Sequence, residues 1–183
     1  MNQIFTVINT INIIWIIPVF FLIHELEEWN ILNWYKKFYV DLPPSTNISI
    51  RIHIITLSII AFLLTFIAWI SPIILRSIIV IYISSFILAN TIQHIIWTVQ
   101  YNAYSPGLLT ALFATLVYAL INIKLINSEL ILTPCYLIVL MWVPAIIATV
   151  RSKYHMTPDV RRVHTLFIYI ESILNKKVFS KDT

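Results

Sequence analysis

Apolar runs of membrane-spanning length recur along this chain and restrict it to folds that leave no backbone polar group facing hydrocarbon. A helix needs roughly 20 mostly apolar residues to cross a bilayer. Ile4 to Ile23, His53 to Ile70, Ile73 to Trp97, Gly107 to Ile126 and Leu130 to Val150 fit that requirement. Hydrophobic residues make up 60% of the 183 and charged ones 11%, and the mean hydropathy is +0.88, which excludes an ordinary soluble domain. The expected fold class is all-α: an integral membrane bundle of five transmembrane helices over residues 1–155, then a basic amphipathic tail over 156–183.

Pro18 lies inside the first run and Pro144 inside the fifth, where each is expected to bend its helix. Asn9 and Asn12 make the first segment the most polar, so one of its faces should meet protein rather than lipid. No basic residue precedes that run and no small-x-small cleavage pattern follows it, so it is not expected to be a removable signal peptide. Cys135 is the only cysteine, which excludes a disulfide or a cysteine metal cluster within one chain and leaves packing as its role.

The net charge of +4 does not point to nucleic acid, because the basic residues flank membrane segments. Lys36, Lys37, Arg51, Arg151, Lys153, Arg161, Arg162, Lys176, Lys177 and Lys181 share one side of a five-span topology, against Arg76 and Lys124 on the other. The positive-inside rule then predicts an outside N-terminus and a cytoplasmic C-terminus in the cell membrane. In the tail, Thr157-Pro158-Asp159 has the residues of a helix start, and Val160, Val163, Phe167, Ile170 and Leu174 recur at helical spacing. The segment reads as an amphipathic helix on the cytoplasmic leaflet or, alternatively, as a docking helix for a cytosolic partner. His155 and His164, within this basic tail, read as solvated.

Against this apolar background, His24-Glu25-Leu26-Glu27-Glu28 concentrates an imidazole and three carboxyls at the end of a lipid-suited segment. Ionisable groups beside hydrocarbon are costly and usually functional. Residues three and four apart share a helix face, so His24, Glu27 and Glu28 converge while Glu25 turns away. The same topology brings Asn90 and His94, four residues apart, and His53 to the same leaflet. Tyr104-Ser105-Pro106-Gly107 contains the only glycine and reads as a tight turn able to cover the cluster, with Thr110 facing inward just beyond. Trp29, Trp34, Tyr35, Tyr101 and Tyr104 read as interface anchors.

These residues resemble the HXXEE domain proteins, whose motif stands here as His24, Glu27 and Glu28. Asn90, His94 and the Tyr104 to Gly107 turn are similar to that family's further polar positions. The resemblance covers most of the first four spans and implies a small prokaryotic membrane protein with a polar site, without implying a substrate.

Several chemistries fit the cluster. In the metal reading, His24, Glu27, Glu28, His94 and His53 supply ligands to zinc, iron or manganese, Asn90 orients His94 or a water, and Glu27 and Glu28 are the candidate catalytic carboxylates. The expected function is then a metal-dependent enzyme acting on a lipid or lipid-like substrate through activated water. His24-Glu25-x-x-Glu28 also resembles a zinc-protease helix with its second histidine replaced, which would make Glu25 a base. A metal-free acid–base site on His24 and a non-enzymatic proton or ion pathway use the same residues. The bland alternative leaves the glutamates hydrated and His24 merely hydrogen-bonded to a neighbouring helix.

Overall fold

The computed structural model describes residues 10–179, with side chains as far as residue 176. A 3₁₀ turn at Asn12–Trp15 leads into α1 (Ile16–Glu27), followed by α2 (Ile31–Phe38), α3 (Asn47–Ile70), α4 (Ile73–Tyr101) and α5 (Leu108–Asn127). A 3₁₀ helix at Thr133–Trp142 then runs directly into α6 (Val143–Arg151), and α7 (Pro158–Phe179) closes the described chain. There is no strand among the described residues.

Four stretches are long and apolar enough to cross a membrane: Asn47–Ile70, Ile73–Tyr101, Leu108–Asn127 and Thr133–Arg151. They are consistent with a multi-pass membrane protein. The expected first span, Ile4 to Ile23, lies partly outside the described residues, and its described part is the 3₁₀ turn and the 12-residue α1. Asn12 Oδ1 accepts from Trp69 Nε1 (3.1 Å) at the far end of α3, while Asn30, just beyond α1, accepts from Arg51 near the start of α3. The segment therefore runs antiparallel beside α3 for most of its length.

Expected boundaries shift where local chemistry decides. Thr46 and Ser49 form a reciprocal capping box, so α3 begins at Asn47 rather than His53. Pro18 falls in the first turn of α1 after the 3₁₀ turn, and Pro144 in the first turn of α6 after the 3₁₀ helix, instead of bending continuous α-helices. A proline lacks only a donor that a helix start leaves unused. Ten residues at about 2.0 Å rise and nine at about 1.5 Å give the last stretch a reach of roughly 34 Å, sufficient for a hydrocarbon core of about 30 Å.

Polar side chains pin that last stretch to the bundle. Leu132 N donates to Ser77 Oγ (2.7 Å), Trp142 Nε1 to Ser85 Oγ (2.9 Å), and Tyr136 hydroxyl to Asn122 Oδ1 (2.9 Å). Such bonds between helices replace water that lipid cannot provide. Ala61, Ala68, Ala111 and Ala114 are buried where helices approach closely, whereas Leu63, Phe66, Ile70, Leu116 and Leu120 point outward, as lipid permits. Cys135 packs against the main core, as expected.

Two expectations about the site end of the bundle are overturned. Trp34 and Tyr35 are buried beside Trp97 rather than set at a lipid interface, because α2 folds back over the end of the bundle. His164 is only 4% exposed and shares a hydrogen bond with Ser45 Oγ (2.8 Å), so it is not solvated. Thr157 accepts from Val160 N (3.4 Å) and caps α7 as the sequence predicts. The face α7 turns inward comprises Val160, Val163, His164, Phe167 and Glu171, with Leu174 outside. That face includes polar residues because it meets the polar start of α3: Thr46 hydroxyl donates to Glu171 (2.6 Å), and Phe167 lies against His53 (4.6 Å between rings).

Burial, reinforced by the neighbouring His53, pushes the His164 imidazole down to about 4. Between about pH 6.5 and 4 a released His164 gains a proton that the docked one does not, so docking of α7 weakens as pH falls through that window. Protection factors across α7, that is exchange rates relative to the intrinsic amide rate at each pH, are expected to fall on acidification from pH 7 to 5 in the wild type, with a much smaller change in His164→Asn. Asp41 holds the other end: slight burial opposes its ionisation, yet Met156 amide (2.9 Å), Arg161 and His155 keep its carboxyl below the ordinary range.

Candidate metal centre

The site is assembled from α1, α4 and the turn that joins α4 to α5. His24 and Glu28 are one helical turn apart at the end of α1, and His94 projects from α4. Both imidazoles are fully buried. His94 Nε2 lies 2.8 Å from Glu28 Oε1, and His24 Nε2 lies 3.5 Å from the same oxygen. One ligand atom from each of the three residues falls within 4.8 Å of the others.

The tautomer of His24 follows from its partners. Nδ1 is 3.1 Å from Gly107 carbonyl oxygen, which can only accept, so Nδ1 carries the proton; Thr110 Oγ1 lies within 3.3 Å of the same nitrogen. In its neutral form His24 then turns the Nε2 lone pair toward Glu28 and the Asn90 amide (2.9 Å). His94 is oriented in parallel by Ser105 Oγ at Nδ1 (2.8 Å), and its buried Nε2 has no hydrogen-bond partner of adequate geometry despite the nearby carboxylate. Imidazoles fixed through the distal nitrogen, with the other directed at a shared point, are arranged as metal ligands are.

Distances agree with that chemistry. Bonds of about 2.1 Å in a tetrahedral shell put ligand atoms about 3.4 Å apart. The two distances to Glu28, 2.8 and 3.5 Å, bracket that value and all three atoms lie within 4.8 Å of one another, so side-chain adjustments would admit a divalent ion. Asn90 would have to yield Nε2 of His24 and would then face the ion's open position.

Gly107 enables this closeness. Its φ of +96° suits glycine, as the Pro-Gly pair predicts, and an added Cβ would stand 2.7 Å from Glu28 Oε1 and 2.9 Å from His94 Cε1. The turn thus packs directly onto the cluster.

The remaining motif glutamates have other partners. Glu27 accepts from Thr110 amide (3.0 Å), Thr110 hydroxyl (2.5 Å) and Tyr104 hydroxyl, which occupies both of its oxygens at the start of α5. A carboxylate there is favoured by the unpaired amides of the first turn. Its geometry is that of a clasp joining α1 to the turn, with Tyr104 donating to it through the hydroxyl while its ring stays exposed. Glu25 faces a cavity of about 360 Å³ on the other side of α1, together with Glu28, Asn90 and His53. His53 does not join the trio; it packs on Phe167 of α7.

A family model for proteins of unknown function with an HXXEE motif matches residues 15–122, more than half of the chain. The chain belongs to the HXXEE family. No curated protein and no solved structure matches it. The HXXEE match includes the trio, Asn90, the Gly107 turn and Thr110, and it stops before the 3₁₀ helix, α6 and α7, which supply part of the cavity wall.

Sequence reasoning places Ser105 and Gly107 in a turn over the cluster but misses their contacts with His94 and His24, and it assigns His164 to solvent. The signal for the turn is the single glycine beside the motif's own partner loop. That for His164 is its place between Val163 and Phe167 on the apolar stripe of α7.

Proposed function

We propose that this HXXEE protein is a metal-dependent membrane enzyme acting on a lipid-like substrate, with His24, Glu28 and His94 holding zinc, iron or manganese. The observation that carries the proposal is the convergence of two fully buried, oriented imidazoles and one carboxylate on a single point beside a largely apolar cavity. A bound divalent ion supplies Lewis acidity and activation of water. The protein's own groups do the rest. Gly107 and Ser105 orient the imidazoles, Asn90 positions a group at the open side, and Glu28 is the acceptor for a proton released there. Glu27 fixes the turn and takes no part in binding the ion.

The charge pattern supports an orientation with the N-terminus outside and the C-terminus in the cytoplasm, since Lys36, Lys37, Arg51, Arg151 and Lys153 lie at the site end and Arg76 and Lys124 at the opposite one. In that orientation α7 rests at the cytoplasmic interface, with Leu166, Tyr169 and Leu174 exposed to headgroups or acyl chains.

Elemental analysis of the purified protein tests the assignment. About one equivalent of divalent metal is expected in the wild type, and loss of most of it in both His24→Ala and His94→Ala. Well-folded protein that takes up no metal, with ion flux in proteoliposomes sensitive to Glu28→Gln, would move the assignment to an ion pathway.

A further inference from the structure

Glu25 is 3% exposed, faces the cavity, and has neither a hydrogen bond nor an ion pair among the described residues. A buried carboxyl without a partner is costly to maintain, and side chains of this kind are retained where something else supplies the partner. The trio does not need it: Glu25 points to the opposite side of α1 from the clasp formed by Glu27.

Its surroundings define the missing partner. No lysine or arginine lines the cavity among the described residues, while Glu28 and Asp159 add further acidic groups. Tyr35, Phe86, Trp97 and Trp142 supply aromatic surface, which attracts cations through the negative faces of the rings. The remaining wall combines aliphatic side chains, among them Leu57 of α3 and Ile146 of α6, with polar ones that include His53 and His164. A volume of about 360 Å³ lies within the range of small-molecule sites.

We infer that this cavity binds a cationic amphiphile, an alkyl ammonium with its charged head against Glu25 and the aromatic rings and its chain along the wall formed by α3 and α6. The inference rests on the lipid-like substrate reading for the tail of its ligand and adds the charge of the head. A neutral amphiphile would fill the same apolar space and leave the charge of Glu25 uncompensated.

The full-length protein in nanodiscs of uncharged or zwitterionic lipid is titrated with dodecyltrimethylammonium and, separately, with dodecanol, and bound ligand is counted by native mass spectrometry against empty nanodiscs. The ammonium is expected to bind at least about tenfold more tightly than the alcohol. Glu25→Gln should reduce ammonium binding to the level of the alcohol, and Glu25→Asp should restore most of the preference. Equal binding of the two ligands to the wild type overturns the inference even if a variant fails to fold. So does a preference that survives Glu25→Gln. Metal content separates the two proposals: protein that holds metal without preferring the ammonium refutes only this inference, and metal-free protein that prefers it refutes only the metal reading.

Discussion

Gly107→Ala is expected to unfold the site end of the bundle more readily than any other single methyl addition. The new Cβ meets Glu28 Oε1 at 2.7 Å and His94 Cε1 at 2.9 Å, and the backbone at φ +96° disfavours any L side chain. Positive φ costs about 1–2 kcal/mol for a residue with a Cβ, and forced overpacking typically a further 1–3 kcal/mol. Relief by moving Glu28 or His94 would disrupt the trio, so stability and metal content should fall together. Unfolding in detergent, read beside metal analysis, checks both; an alanine variant with wild-type stability and full metal content would show that the turn does not rest on the cluster as described.

Glu28→Gln and Glu27→Gln should separate the two motif glutamates that the sequence presents as equivalent. If Glu28 is the anionic ligand of the proposed three-residue centre, its loss is expected to weaken metal binding by more than about 100-fold, since even groups that only support ligands contribute 10–100-fold. Glu27 instead accepts three hydrogen bonds from Thr110 and Tyr104. Its glutamine variant keeps one acceptor oxygen and should retain metal while losing about 1–3 kcal/mol of stability. Titration of each variant with zinc, paired with its unfolding midpoint, distinguishes the two roles. Parallel behaviour of the two variants in both measurements would contradict the division between ligand and clasp.

The division was hidden from the sequence because a helix face is broader than a ligand shell. Positions three and four residues after His24 both lie on its side of α1, yet only the neighbours that approach that face decide which carboxylate meets an imidazole and which meets an amide. The α5 start takes Glu27, and His94 takes Glu28. Likewise, His53 and His94 share a leaflet by topology, but His53 packs on Phe167 of α7 and lines the cavity instead of joining the trio. His164 shows the same limit. A histidine among basic residues reads as solvated until the polar start of α3 is placed against it.

By itself the sequence determined the all-helical membrane character, the pairing of His24 and Glu28 one turn apart, the approach of His94 and Asn90 from the same leaflet, and the need for glycine at the Pro-Gly turn. Those features follow from residue spacing, chain length per helical turn and the cost of exposing polar backbone to lipid, all of which act locally along the chain. Only the tertiary structure decided that the trio excludes Glu27 and His53, that Glu25 faces a cavity, and that α7 docks on α3. These outcomes depend on which helix faces meet across distances of a few ångströms, and contact between faces is a property of the packed bundle that periodicity within any one helix does not specify.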